Sequence, residues 1–159
     1  MEFLIITGLS GAGKTQAANF LEDLDFYCVD NMPSALLKPF AEFCIASKGR
    51  IDKVALVTDV RARESFDVLF KALGELREEG MPLYAAALAQ HAERAGSFRF
   101  PERFALAVGN EGHGLGARLL AGAEKIVRIP MAPGSESLNA AAAAAVLMWE
   151  AFREREENV

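Results

Sequence analysis

The 159-residue sequence has few cysteines, no excess of basic residues and no long apolar run. Its two cysteines, Cys28 and Cys44, lack metal-ligand spacing and lie among apolar residues, which predicts small core residues and no disulfide. No stretch approaches the roughly 20 apolar residues that span a bilayer. The formal charge of −5 offers no clustered positive surface, so a nucleic-acid partner is not expected.

A secretory signal is also missing from the start of the chain. The first residues, MEFLIITG, have no basic segment and reach a glycine at position 8. The composition, with 52% hydrophobic and 25% charged residues, is that of a globular protein. We therefore expect a cytoplasmic protein with no membrane partner, folded as one α/β domain over residues 1–159.

Short apolar runs alternate with segments of helical periodicity along the chain. The predicted strands are residues 3–6, 26–29, 53–58, 82–88, 104–108 and 125–129. The predicted helices are 15–24, 35–46 with Pro39 as a kink or break, 66–79, 117–121 and 138–155, the last capped by Ser135 or Ser137, while 89–103 form a loop with one helical turn. This alternation predicts a three-layer α/β sandwich with a five- or six-stranded, mostly parallel sheet.

The first chemical motif follows the first predicted strand. It has the pattern G-x-x-x-x-G-K-T and consists of Gly8, Leu9, Ser10, Gly11, Ala12, Gly13, Lys14 and Thr15. Glycines let several backbone N–H groups point into one hollow, and the helix that follows adds the positive end of its dipole. In such a Walker A loop the lysine reaches the β- and γ-phosphates and the threonine hydroxyl holds Mg²⁺. A glycine-rich turn with a solvated lysine is the alternative.

A P-loop of this kind works with an acidic residue on a neighbouring strand. Asp59 ends the apolar run 54–58 and is the candidate for holding Mg²⁺ through the nucleotide, together with Thr15. Asp30, at the end of a shorter strand, is the rival. Either residue is alternatively an ordinary charged residue at a strand end.

Residues 1–80 resemble the RapZ family, bacterial P-loop proteins that bind nucleotide and act as RNase adapters. The resemblance is carried by MEFLIITGLSGAGKT, NFLEDL, FYCVDNMP and DKVALVTDVR. It implies a P-loop NTPase-like first half, with strand 3 beside strand 1 and ATP or GTP as ligand. It ends near Gly80, and no counterpart of the family's later segments follows, so we expect phosphate binding with little or no turnover.

A second glycine-rich segment begins at Gly109 and is followed by the strand end Ile129-Pro130-Met131 and the segment 135–139. Together ALAVGNEGHGLG, IVRIPM and SESLNAAAAAAVLMWE resemble the SpoU/TrmH group of SPOUT RNA methyltransferases over residues 82–155. That resemblance implies a SPOUT-like second half, trefoil-knotted in that family, that holds S-adenosylmethionine. The implied cofactor-binding residues are Gly109, Glu111, Gly112, Ile129, Met131 and Leu138.

The motif that supplies a catalytic arginine in SPOUT enzymes belongs to the half that the P-loop segment occupies here. Arg61 and Arg63 follow strand 3, but their context does not match that motif. The two lone histidines, His91 and His113, have no orienting partner in sequence and are predicted to lie on the surface. The sequence therefore identifies no catalytic residue and leaves open whether the chain is an enzyme.

The last helix carries apolar residues on one side: Ala145, Val146, Met148, Trp149 and Phe152. Core packing explains such a side, and a homodimer through this helix, as in SPOUT proteins, is the alternative.

The two resemblances meet at the turn 79–82, which favours an engineered chimera. Three functions stay open: a phosphate-binding module for ATP, GTP or free phosphate, an S-adenosylmethionine-dependent RNA methyltransferase, and a purely structural chain without activity. We rank the first above the third and the second last.

Overall fold

The computed structural model describes residues 1–7, 12–30, 32–47, 50–58, 63–109, 115–132, 134 and 138–156. Strands and helices alternate along the chain. The strands are β1 (Glu2–Thr7), β2 (Tyr27–Asp30), β3 (Lys53–Thr58), β4 (Leu83–Ala86), β5 (Glu93–Arg94), β6 (Phe104–Val108) and β7 (Lys125–Arg128). The helices are α1 (Ala12–Asp23), α2 (Leu37–Ala46), α3 (Arg63–Glu78), α4 (Ala117–Gly122) and α5 (Ala140–Glu156).

All seven strands join one parallel sheet in the order β2-β3-β1-β6-β4-β7-β5. β1 lies near the centre, with β3 on one side and β6 on the other. The predicted placement of strand 3 beside strand 1 is therefore confirmed. Strands β1 and β6 are buried on both faces, which explains their continuous apolar runs.

Helices cover both faces of the sheet and form the three predicted layers. On one face, residues of α2, α3 and α4 such as Ala41, Leu76 and Leu119 pack against Phe3 and Ile5 of β1. On the other face, α1 and α5 pack against the alternate residues of the same strands, including Leu4 and Ile6. Both cores draw side chains from the first and the second half of the sequence.

Three details differ from the sequence predictions. The sheet has seven strands and not five or six, because residues 93–94, predicted as loop, pair with the end of β7. Helix α5 begins at Ala140, and its cap is Asn139, whose Oδ1 accepts a hydrogen bond from the Ala142 N–H at 2.7 Å. Ser135 and Ser137, the predicted caps, lie outside the described residues. Pro39 neither kinks nor breaks the helix, because it lies in the first turn of α2, where its missing N–H costs nothing.

The structure also bears on the expectations for the cysteines, the histidines and membrane-spanning segments. Cys28 and Cys44 are both free thiols; Cys44 is buried, while Cys28 is half-buried and not a full core residue. His91 is exposed, and His113 lies outside the described residues. Over the described ranges, no helix is both long and apolar enough to span a bilayer.

Candidate functional site

The carboxyl ends of the parallel strands form one edge of the sheet, and β1 leads from this edge into the predicted phosphate motif. β1 ends at Thr7 and α1 begins at Ala12, so four residues connect strand and helix. Gly13, Lys14 and Thr15 have helical backbone at the start of α1. Gly8, Leu9, Ser10 and Gly11 lie outside the described residues, as do the side chains of 12–17. The strand before the motif and the helix at its end, which the motif requires, are thus both present.

The end of β3 lies beside the end of β1. Thr58 is paired with Thr7, so β1 and β3, which are neighbouring strands, end at the same level of the sheet. Asp59 follows Thr58 directly but lies outside the described residues. Asp30, the rival, ends β2, which is one strand further from β1. In the described part of the chain, no group of three or more His, Cys, Asp or Glu side chains could hold a metal ion.

A pocket of about 370 Å³ opens at the ends of β6, β4 and β7. Its size falls within the range of about 300–1,000 Å³ that is typical of small-molecule sites. The lining comes from these strand ends, from α4 and from the start of α5: Ala86, Ala87, Leu88, Val108, Gly109, Leu115, Leu120, Val127, Arg128, Ile129, Met131, Leu138, Ala140 and Ala143. The position agrees with the rule that open α/β sheets bind ligands beyond the carboxyl ends of their strands.

Four of the six residues that the SPOUT resemblance implied meet in this pocket. They are Gly109, Ile129, Met131 and Leu138, which are far apart in sequence. Glu111 and Gly112 lie outside the described residues. The sequence did not identify the contributions of Leu88, Leu115, Leu120 and Ala143. Only the strand-end position of Leu88 could have been found from sequence, because the other three depend on how the helices pack.

The described lining of the pocket is apolar except for its backbone groups and one charged side chain. Among the described lining residues, Arg128 alone carries a charge, and its Nε donates to the Ala92 carbonyl at 3.3 Å. The Asn139 cap fixes the first turn of α5 and thereby places Leu138 and Ala140 on the pocket wall. The described lining therefore offers an apolar hollow whose polar groups are those of the backbone and of Arg128.

A polar cluster supports this half of the sheet away from the pocket. Lys125 Nζ lies 2.6 Å from Glu93 Oε1 and 5.0 Å from the centre of the Phe98 ring. The hydrogen bond from Lys125 to Glu93 raises the pKa of Lys125, and burial raises the pKa of Tyr84 beside it. Both shifts keep these groups in their ordinary protonation states at neutral pH. The cluster ties β5 to β7 and contributes no acid or base to the pocket.

Comparison of the fold with solved structures gives SpoU and TrmH methyltransferases. The TrmH/SpoU tRNA modifying enzyme of A. aeolicus superposes with a TM-score of 0.67, at 18% identity, over 99% of this chain and 76% of that one. The SpoU methyltransferase AviRb from Streptomyces viridochromogenes, solved with AdoMet, gives 0.62 at 21% identity over 98% and 58%. At these identities the match establishes the fold: a parallel α/β sheet of the SpoU/TrmH type.

Sequence comparison assigns the first half of the chain. Residues 1–86 match the RapZ-like N-terminal domain, and the chain belongs to that family. A nucleotide-binding protein of Clostridium botulinum strain Hall is 58% identical over 80 residues, which are 50% of this chain and 27% of that protein. The chain thus spans well under a third of that relative. It combines a RapZ-like amino-terminal half with a fold of the SpoU/TrmH type.

Proposed function

We propose that the chain is a nucleotide-binding module that holds the phosphates of ATP or GTP on residues 8–15, with little or no turnover. One observation carries the proposal: the G-x-x-x-x-G-K-T motif comprises the four residues between strand β1 and helix α1 together with the first residues of α1. Backbone N–H groups at a helix start have no partner within the helix and attract anions. Lys14, in the first turn of α1, adds the positive charge.

Magnesium would be held in this site by Thr15 and Asp59 together with the nucleotide phosphates. The pairing of Thr7 with Thr58 supports this, because it brings the residue after β3 to the strand that leads into the motif. The oxygen ligands of threonine and aspartate suit Mg²⁺. The metal would neutralise phosphate charge, while Lys14 and the helix start orient the phosphates.

Titration calorimetry tests phosphate binding. The chain is titrated with ATP and with GTP, each with and without Mg²⁺, and compared with Lys14→Ala. We expect a one-to-one complex that Lys14→Ala weakens by at least tenfold. Lys71→Ala, which removes an exposed lysine from α3, is the matched control and should leave the Kd unchanged. Equal affinities of the Lys14→Ala variant and the unmodified chain would contradict the proposal.

A second candidate function rests on the 370 Å³ pocket. We propose that it accommodates S-adenosylmethionine, with Gly109, Ile129, Met131 and Leu138 around the cofactor. Its volume and apolar walls fit a nucleoside-sized group, and backbone groups at the strand ends supply hydrogen bonds. The cofactor would bring a transferable methyl group. Methyl transfer to RNA is expected to be impaired or absent, because residues 1–80 lack the SPOUT arginine motif.

Calorimetry with S-adenosylmethionine, followed by a methyl-transfer assay on bulk tRNA, tests this second function. Binding without transfer agrees with the expectation, and efficient transfer would contradict it. If neither nucleotide nor S-adenosylmethionine binds and the chain still unfolds cooperatively, the third hypothesis, a folded chain without activity, holds instead.

We further propose that the junction at residues 79–82 was engineered. The RapZ-like match ends at residue 86, close to this turn, and the SpoU/TrmH-like motifs all lie in residues 82–155, although the fold match to SpoU/TrmH structures covers nearly the whole chain. A genomic gene with the same junction would contradict this origin.

A homodimer through α5 is also proposed. Met148 is buried against the sheet, whereas Val146, Trp149 and Phe152 of the same helix are between 41% and 53% exposed. Large apolar side chains grouped on one exposed helix face are typical of interfaces. The monomer remains the alternative.

A further inference from the structure

The pocket and the start of α1 lie next to each other on one edge of the sheet. Ile6 of β1 is paired with Val108 of β6, and Val108 and Gly109 line the pocket. β4 and β7, which follow β6 in the sheet, supply the rest of the strand-end wall. The pocket therefore begins one strand away from the strand that leads into α1.

The separation fits the length of a single nucleotide. Neighbouring strands are about 4.8 Å apart, so the ends of β1 and β4, two strands apart, are separated by about 10 Å. β4 lies in the middle of the pocket wall, between β6 and β7. A ribose and its first phosphates bridge a gap of this size. A base in the pocket thus leaves the terminal phosphates within reach of α1.

The described part of the pocket lining, which leaves out Glu111, favours adenine over guanine. Guanine presents two N–H donors side by side, and a protein usually meets them with a carboxylate. The described lining contains no Asp or Glu, and its one charged side chain, Arg128, is itself a donor. Adenine presents one donor and one acceptor, which a backbone C=O and N–H satisfy together. Burying an unpaired guanine donor would cost affinity.

We propose that the pocket is the nucleoside half of one composite site: it takes the adenosine of ATP while the phosphates lie at the start of α1. The inference rests on the proposed phosphate-binding function and deepens it. Two consequences follow. ATP binds more tightly than GTP, and ATP and S-adenosylmethionine exclude each other because both present adenosine to the same walls.

A competition titration of the intact chain tests the proposal. S-adenosylmethionine is titrated into the protein alone, with ATP at ten times its own Kd, and with inorganic triphosphate at ten times its own Kd. We expect ATP to raise the apparent Kd of S-adenosylmethionine about tenfold, as simple competition requires. Inorganic triphosphate, which lacks adenosine, should leave that Kd unchanged.

A pocket-filling variant gives an independent test. Ala143 lines the pocket, and Ala143→Leu should weaken S-adenosylmethionine and reduce ATP to the affinity of inorganic triphosphate, whose own binding stays the same. Ala141→Leu is the matched control, since Ala141 lies in the same helical stretch but is not part of the described lining. A cooperative thermal melt of each variant establishes that it folds. The competition titration uses the intact chain, so it tests the proposal even if a variant fails to fold.

The outcomes separate this inference from the function on which it rests. Simultaneous binding of ATP and S-adenosylmethionine, or equal affinities for ATP and GTP, overturns the composite site and leaves phosphate binding intact. Failure of both ATP and inorganic triphosphate to bind overturns the phosphate-binding function and the composite site together. Displacement of S-adenosylmethionine by ATP alone supports both.

Discussion

The guanidinium carbon of Arg118 lies 4.6 Å from the centre of the Phe70 ring, so that α4 is joined to α3 by a cation–π contact. Arg118 also forms an ion pair with Asp67 of α3. Phe70 and Asp67 belong to the RapZ-like half, whereas Arg118 belongs to the other half. Arg77 of α3 pairs with Glu124 at 2.7 Å across the same boundary. The two halves therefore share polar contacts as well as both hydrophobic cores.

A double-mutant cycle with Arg118→Ala and Phe70→Leu should reveal this contact. We expect a coupling free energy of about 0.5–1 kcal/mol, the usual size of an exposed cation–π pair. The measurement is the free energy of unfolding in urea for the chain, both single variants and the double variant. Additivity within about 0.3 kcal/mol would show that the two residues do not interact.

Removing the cap of α5 should destabilise the protein. Asn139→Ala deletes the acceptor for the Ala142 N–H and should cost about 1 kcal/mol of unfolding free energy. In a chain of this length that loss lowers Tm by about 2–4 °C. Asn139→Asp keeps a capping oxygen and is the control. Calorimetry of the three proteins should give the order Asn139 ≈ Asp > Ala, and an unchanged Tm for Asn139→Ala would refute the role of the cap.

The thiol of Cys28 should react slowly with alkylating reagents in the folded protein. Burial, aided by the charge of Glu22, raises its pKa from 9.0 to about 11. Two pKa units reduce the thiolate roughly 100-fold at pH 8, and the thiolate is the reactive form. In the Cys44→Ala variant, Cys28 is the remaining thiol. Its labelling by iodoacetamide at pH 8 should therefore be roughly 100-fold slower in buffer than in guanidinium chloride. Equal rates would contradict the raised pKa.

The same shift makes the stability depend on pH. Because the pKa is higher in the folded than in the unfolded state, the unfolded chain loses its proton first as the pH rises. The contribution of Cys28 to the free energy of unfolding is fully present below about pH 9 and is lost between pH 9 and about 11. Cys28→Ala should flatten the decline of Tm in that window. If Tm declines as steeply in Cys28→Ala as in the unsubstituted chain, other groups cause the decline.

Helix α5 should control the oligomeric state. Trp149→Glu places a charge in the exposed apolar face and should convert a dimer into a monomer in sedimentation equilibrium. Phe43→Glu is the matched control, since Phe43 is an exposed aromatic residue on α2, on the other face of the sheet. The unsubstituted chain and the Trp149→Glu variant are compared at the same concentration. If the unsubstituted chain is already a monomer there, the homodimer is contradicted.

Much of the fold was predictable because the sequence patterns are local. The run 53–58 became β3 with the predicted bounds, and the apolar periodicity of 66–79 became most of α3. β5 could not be foreseen, because Glu93 and Arg94 have no strand pattern of their own and pair only where β7 offers a free edge. The sequence alone does not single out Asn139 as the cap, because two serines stand nearby in sequence.

The candidate site divides in the same way. The phosphate motif is contiguous, so its residues could be named from sequence alone. Four pocket residues were named only through a family resemblance, since Gly109 and Leu138 meet through the order of the strands and not through spacing. The adjacency of the two sites follows from β6 lying beside β1, and the sequence contained no signal for that pairing.

A structure determined from crystals grown with ATP and Mg²⁺ tests most directly the central claim that the start of α1 holds the phosphates of a nucleotide. The account predicts the β- and γ-phosphates at the start of α1, within hydrogen-bond distance of the backbone N–H groups of residues 13–15 and of Lys14 Nζ. A structure in which ATP is bound with its phosphates elsewhere, while the start of α1 is free to accept them, would contradict it.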